Sequence, residues 1–429
     1  MGREDEGVPV EDGDGDCIGA LPDALLHHLL SFLPAEEAVR TCVLARRWRH
    51  LWRLAAGLRV GCRDAHEATP VSGLRKFVDC LFLLRGGLPL GACELKIGDF
   101  GGHDDAHRVN LWLRHAVMCK VRVFKLDVRQ NEYFDPWLLL DDLPLVSRHL
   151  SRLELHGVQC PARFLNFSSC PALEHLQFEY RDVSSAEKIS SGSLKVLSIT
   201  YSVFGNDSRI RICAPNLVSL RLDDLWDNTP ILESMPALTE AYVRITELCD
   251  DRCNKLSDAF QDCDCQSCQS SDNTGDECDN CVLLNGLSAA KRLVLISKPE
   301  MFIFRRDLRW CPTFSKLKTL FLNDYWCMHD DLCALACLLE HSPVLENLTL
   351  QLFSEGPNHK MEMKGTFNSM ERSAAISKYL KLVEIKCEVV DERVYKVLKF
   401  LCTFNMQISV ADRRCKKNWV ANGLSVSRC

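Results

Sequence analysis

Four cysteines are spaced for chemistry. Cys265-x2-Cys268-x9-Cys278-x2-Cys281 places two close thiol pairs on a polar, aspartate-rich stretch at residues 249–281. This is the form of a tetrathiolate zinc site, in which each pair takes one edge of a tetrahedron. Cys249, Cys253 and Cys263 crowd the same stretch without an evident role, and its polarity equally suits a solvated, disordered loop. Zinc held by those four thiols is the one cofactor the sequence suggests. No catalytic constellation accompanies it: the chain contains no P-loop, no G-x-S-x-G and no H-E-x-x-H. His27 and His28 are neighbours on one helix and point in different directions, and Cys265 and Cys268 do not sit at a strand–helix junction as thioredoxin-like chemistry needs. The expectation is a non-catalytic protein.

Composition narrows the class. The 429 residues are 47% hydrophobic, ample for a core and more than one ordinary domain. A net charge of −6 argues against a dedicated nucleic-acid binder, which would present a basic face. No apolar run reaches the roughly eighteen residues needed to span a bilayer. The N-terminus, MGREDEGVPVEDGDGD, is acidic and has no apolar signal-peptide core. Most of the 24 cysteines are scattered through apolar strands, so they read as small reduced core residues, and the cytoplasm or nucleus is expected.

The rest of the chain hangs from Asp16–Leu54, which reads as three short helices. Pro22 and Pro34 sit near the starts of the first two, where a missing amide costs nothing. Leu21, Leu25, Leu26, Leu29, Leu30 and Leu33 recur at helical steps, and Glu36 and Glu37 fall in a first turn, where the helix dipole favours anions. Trp48, Leu51 and Trp52 share a face of the third. About forty residues cannot bury this much apolar surface alone, so part of it is a candidate partner surface.

Leu21-Pro22, Leu25, Leu30, Phe32-Leu33-Pro34, Val43-Leu44 and Arg47-Trp48 fall, in order and without a gap, on the pattern of an F-box. The chain resembles that family, with Ala45 in place of a frequent Ser and Arg46 in place of a frequent Lys. The resemblance implies docking to a Skp-type adaptor and, through it, to a cullin-based (SCF-type) ubiquitin ligase. Leu21, Pro22, Leu25, Leu26, Leu30 and Leu44 are expected at or beside that interface, with Trp48 as a wedge between the helices.

From about residue 91 a unit L-x-x-L-x-L repeats, as at Leu150-Leu153-Leu155, Leu173-Leu176-Phe178, Leu194-Leu197-Ile199, Leu217-Leu220-Leu222 and Leu238-Ala241-Val243. It returns at Leu317-Leu320-Leu322 and Leu345-Leu348-Leu350. Successive starts from 150 to 238 lie 23, 21, 23 and 21 residues apart, the leucine-rich-repeat period. One such unit cannot bury its leucines, so the units stack into a solenoid. Weaker copies are expected at Ala92-Leu95-Ile97, Val121-Phe124-Leu126, Ala290-Leu293-Leu295 and Leu382-Ile385-Cys387. The Asn that commonly closes the motif is missing; Val158, Arg181, Ser202 and Leu225 hold its place, which predicts irregular arcs. Residues 371–410 read helix, strand, helix, strand and resemble the FBD region that ends many plant F-box/leucine-rich-repeat proteins, notably in LVEIKCE and KVLKFL.

The expected organisation is an acidic disordered tail at 1–16, the F-box at 17–54, a helical linker at 55–90 and leucine-rich repeats at 91–370 with the Cys-rich insertion at 249–281. An FBD-like cap at 371–410 and a basic, solvated tail at 411–429 follow. The fold class is α/β: three helices, then an irregular solenoid with an αβ cap. The functional expectation is a substrate receptor, with a protein target held on the repeats; the alternative is a repeat scaffold or sensor without degradation. Strand residues between the leucines should face the concave side. Of these Arg221, Tyr242, Arg244 and Phe321 carry most weight, because aromatic and Arg side chains dominate interface energy once desolvated.

Overall fold

The computed structural model describes residues 18, 20–61, 68–129, 137–205, 209–246, 248–251, 281–298, 301, 303–327, 332–352, 379–388, 390–402, 407–412, 417–422 and 425–428. In Arg152–His156 the side chains run exposed, buried, half-buried, buried, half-buried, the period of two that a strand imposes on a segment with one face in a core. Leu153 and Leu155 point in; Arg152, Glu154 and His156 point out.

Among the described residues, that strand is one of thirteen parallel strands in register. We number them β1 Gly57–Val60, β2 Ala92–Ile97, β3 Val123–Val128, β4 Arg152–His156, β5 His175–Asp182, β6 Val196–Val203 and β7 Ser219–Asp223. They continue as β8 Glu240–Ile245, β9 Arg292–Ser297, β10 Thr319–Asn323, β11 Asn347–Leu352, β12 Leu382–Cys387 and β13 Gln407–Asp412. Each pairs with its neighbours in sequence, β1 with β2 and onward to β12 with β13. The result is a solenoid whose inner face is one continuous parallel sheet.

The register corrects two of the weaker repeat copies. Cys93 pairs with Phe124 and Leu95 with Leu126, so the inward set is Leu90-Cys93-Leu95; Ala92 is exposed. Likewise Val383 pairs with Leu348 and Ile385 with Leu350, giving Leu380-Val383-Ile385, with Leu382 exposed. A slip of two residues keeps every strand side chain on its own face, so the apolar pattern alone could not choose between the frames.

Return arcs differ along the chain. Early ones carry helices: α3 Val71–Arg85 and α4 His103–Met118 follow the F-box helices α1 Asp23–Leu30 and α2 Ala35–Arg40. In the middle, short outer strands at 188–190, 211–213 and 231–232 pair in parallel. Later arcs return to helices, α5 Leu284–Leu287, α6 Ile303–Leu308 and α7 Cys333–Glu340. The segment expected as a linker thus supplies β1 as well as α3.

The missing Asn ladder has a replacement. Gly157, Tyr180, Tyr201 and Asp224 hold the same repeat position, just past β4 and β7 and within β5 and β6, and all four have positive φ (70°, 47°, 48° and 50°). Immediately after them Val158, Arg181, Ser202 and Leu225 are fully buried. The column of left-handed residues bends the chain at the repeat period, so these repeats share a device that the absent Asn did not foretell. Only Gly157 takes the conformation without strain. A Cβ there would also lie 2.0 Å from the Val128 carbonyl oxygen. Gly157→Ala is therefore expected to destabilise by about 1–3 kcal/mol, read as a lower urea midpoint; an unchanged midpoint would show that the turn can relax.

The FBD-like block extends the sheet. β12 and β13 continue the parallel ladder, with α8 Glu392–Cys402 between them. Val394, Val397 and Leu401 bury its apolar face. The helix expected at the start of this block lies outside the described residues. The basic tail, expected as a solvated end, instead pairs: Lys417–Asn422 and Ser425–Arg428 run antiparallel, the former on β13.

Candidate functional site

Two surfaces gather the residues of interest. The first is the helical unit at the N-terminus. Pro22 and Pro34 immediately precede α1 and α2, with Asp23 and Glu36-Glu37 in their first turns. The third helix is a 3-10 helix, Arg46–Leu54, rather than the α-helix the spacing suggested. Arg47 closes the unit, donating from Nη2 to the Leu21 carbonyl at 2.6 Å and to Asp23 Oδ1 at 2.6 Å.

The leucines divide into two sets. Leu26 and Leu30, expected at an interface, are buried in the chain's own core; they hold α1 to the rest of the protein. Leu21 and Trp48 are half-buried and pack on that core. Pro22, Leu25 and Leu44 lie at the surface, with Leu25 50% and Leu44 68% exposed. Leu29, Phe32, Leu33 and Val43 join them, Val43 at 81% exposure. These four, though named in the helical and motif patterns, were not among the residues expected at the interface. Val43 lies in a 3-10 turn, Thr41–Val43, where an α-helical wheel misplaces it. Seven apolar side chains on one small unit make a surface that water does not favour.

This unit is fastened to the solenoid. Arg85, at the end of α3, is 1% exposed and donates to the carbonyls of Trp52 (3.2 Å), Ala55 (3.1 Å) and Pro89 (3.5 Å). Burial lowers its pKa, against the pull of Cys119 and Cys93. Arg59 on β1 donates to the Phe32 carbonyl at 3.0 Å.

The second surface is the concave face. Its central column reads Lys125, Glu154, Gln177, Ser198, Arg221, Tyr242, Val294, Phe321, Thr349 and Glu384 across successive strands. Tyr242 and Phe321 are half-buried, with Val294 between their strands. The Arg221 guanidinium stacks over the Tyr242 ring, 4.2 Å from its centre. Asp223 accepts from both Arg221 and Arg244, and Arg244 also pairs with Asp224. One turn away the rings of Tyr180 and Tyr201 stack at 4.8 Å. So Arg221, Tyr242 and Arg244 form one cluster, while Phe321 stands two strands beyond Tyr242.

Nearer the F-box the same face holds a polar hollow of about 240 Å³, lined by Lys125, Asp127, Arg129, Glu154, His156 and Glu179 among others. His156 Nδ1 lies 3.1 Å from Asp127 Oδ1. Burial raises the pKa of Asp127, but the His156 hydrogen bond and the charge of Arg129 outweigh it and hold the carboxyl below its ordinary value. The hollow was not foreseen as a unit, because its members come from β3, β4 and β5.

Of the expected zinc ligands, Cys265, Cys268 and Cys278 lie outside the described residues. Cys281 is buried beside Asp307, its sulfur accepting from the Asn285 amide at 3.2 Å. Burial, before the nearby Asp307 charge, pushes its thiol pKa well up. Among the described residues no helix is long and apolar enough to cross a membrane.

Comparison with protein families matches residues 18–55 to the F-box domain. The chain thus carries an F-box domain joined to a leucine-rich parallel sheet. Among the proteins it resembles are F-box/FBD/LRR-repeat proteins of Arabidopsis thaliana. It is 27% identical to one of them over 423 residues, which span 90% of this chain and 89% of the relative. A second is 26% identical over 398 residues, spanning 82% and 80%. An F-box/LRR-repeat protein of the same plant is 31% identical over 257 residues, 50% of this chain and 64% of the relative.

Proposed function

We propose that the chain is the substrate receptor of an SCF-type cullin ubiquitin ligase. The exposed apolar face of the F-box docks a Skp-type adaptor, and the concave face of the solenoid holds a protein target. The observation that carries this reading is the exposed set Leu25, Leu29, Phe32, Val43 and Leu44 on a unit matched to the F-box domain. The receptor is non-catalytic in its own right: it raises the target's effective concentration beside the conjugating enzyme. Its place is the cytoplasm or nucleus, where its thiols stay reduced.

The target is a protein rather than a nucleic acid. Arg221 and Arg244 are already paired with Asp223 and Asp224, which leaves little charge for a phosphate backbone. Tyr242 and Phe321 supply apolar anchors. Burial, then the Asp223 charge, raises the Tyr242 pKa, so it meets a partner as a neutral hydrogen-bonding ring.

The test uses a full-length trap, Leu25→Asp with Leu44→Asp, which retains targets without delivering them. Proteins captured by the trap should be released about 10-fold or more by Tyr242→Ala with Phe321→Ala. Their lifetime should lengthen when the wild-type receptor is withdrawn. Captured proteins whose lifetime never responds would favour a non-degradative scaffold.

A further inference from the structure

We propose that Cys311, Cys337 and His341 form a zinc site on the convex flank, distinct from the Cys-rich insertion and tying two successive arcs together. Cys311 sits in the turn after α6, in the arc between β9 and β10. Cys337 lies in α7 and His341 follows its last residue, in the arc between β10 and β11. Their ligand atoms all lie within 4.8 Å of one another, and each residue is half-buried. Among the described residues no other trio of such side chains meets that spacing.

The chemistry fits the metal. Two thiolates and one imidazole are zinc ligands, and a three-ligand site at a half-buried position leaves room for a water as the fourth. Zn–S bonds of about 2.3 Å and Zn–N bonds of about 2.0 Å in a tetrahedron give ligand–ligand edges of roughly 3.5–3.8 Å. Cys337 Sγ lies 3.8 Å from His341 Nδ1, which sets the ring beside the thiol but is not itself a ligand edge. Nδ1 is also 2.8 Å from the Cys337 carbonyl. A backbone carbonyl that takes one ring N–H orients a ligating histidine and leaves the other nitrogen its lone pair; zinc would take that nitrogen.

The cluster is held in place before any metal arrives. The Phe314 amide donates to the His341 carbonyl at 2.8 Å, and the His341 amide donates to Cys337 at 3.1 Å, so the loop after Cys311 is pinned to the end of α7. Binding releases the two thiol protons to solvent, and the metal cross-links arcs whose sequence separation is 26 residues from Cys311 to Cys337. Zinc here acts as a brace on the part of the solenoid that carries Phe321.

The experiment uses the full chain with Cys265, Cys268 and Cys278 changed to Ser, which removes the thiols of the insertion. Purified under reductant, stripped by chelator and titrated anaerobically with Co²⁺, it should bind one equivalent. The complex should show thiolate-to-cobalt charge transfer and tetrahedral ligand-field bands that Zn²⁺ abolishes. Cys337→Ser and His341→Asn should each weaken Co²⁺ at least about 10-fold and remove the rise in melting temperature on zinc loading. Cys80→Ser, at an exposed cysteine away from the cluster, should change nothing. A parent that gives no cobalt spectrum, or binding unmoved by Cys337→Ser and Cys311→Ser, would overturn the proposal. Recovery of a Cys311–Cys337 disulfide from reducing buffer would also overturn it.

Discussion

Leu25→Asp with Leu44→Asp should lower affinity for a Skp-type adaptor by at least about 100-fold, while the melting temperature stays near that of the parent. Both side chains are half or more exposed, so neither change opens a cavity. A buried apolar anchor at an interface is typically worth 2 kcal/mol or more, and two such losses, with carboxylates forced against an apolar partner, compound. The contrasting variant is Leu26→Ala. Leu26 is fully buried, so its loss should cost about 2–5 kcal/mol of stability and reduce adaptor binding only through unfolding. Titration calorimetry against purified adaptor, paired with thermal melts, separates the two. Undiminished affinity in the Leu25/Leu44 variant would remove this face from the docking model.

Asp251→Ala should destabilise by about 3–5 kcal/mol, the usual result of removing one partner of a buried ion pair. Asp251 is 4% exposed. It accepts from the Thr229 amide at 2.8 Å, the Thr229 hydroxyl at 2.7 Å and Arg209 Nη1 at 2.9 Å, and it pairs with Arg209 Nη2 as well. Its removal takes the paired carboxylate from the half-buried Arg209 guanidinium, which keeps the Thr229 oxygens at 3.0 Å, and leaves the Thr229 amide and hydroxyl without their acceptor. The effect depends on pH in a definite sense. Burial raises the Asp251 pKa, but the Arg209 and Thr229 bonds outweigh it and hold the value below the ordinary one. A depressed folded pKa gives stability that is complete above the unfolded value, about 3.9, and is lost as pH falls through the folded value. Urea midpoints of parent and variant should therefore differ most at neutral pH and converge in acid. A gap that stays constant down to pH about 2 would mean the pair contributes by packing, not charge.

The sequence was most legible where one physical signal dominates. The strongest repeats, from Leu150 to Leu238, show their leucines at inward positions because period-two burial and a fixed repeat length agree. The helices of the F-box were legible from their prolines and leucines, but the depth of each leucine was not. Leu25 and Leu26 are neighbours of identical type, and only the docking of α1 on the rest of the protein decides which is buried. The weak copies at 92 and 382 slipped by two residues because each strand has apolar residues on both sides of the frame. The hollow around His156 and the trio at Cys311 were illegible for a different reason. Each draws members from different repeats, 29 residues apart for Lys125 and Glu154 and 26 for Cys311 and Cys337, and only the stacking of successive repeats brings them together. The left-handed column at Gly157, Tyr180, Tyr201 and Asp224 was hidden because three of its four residues are not glycine.

The Arg85 junction sets a lever arm. Its guanidinium grips carbonyls on both sides of the boundary between the helical unit and the solenoid, so the angle between adaptor face and concave face is fixed rather than swept. In a ligase built on this receptor, a bound target is held at one bearing relative to the conjugating enzyme, and only lysines in that sector are within reach. On the receptor reading proposed above, a softer junction would scatter modification over more lysines of a bound target while leaving its affinity intact, so one buried arginine would help set where such a target is marked.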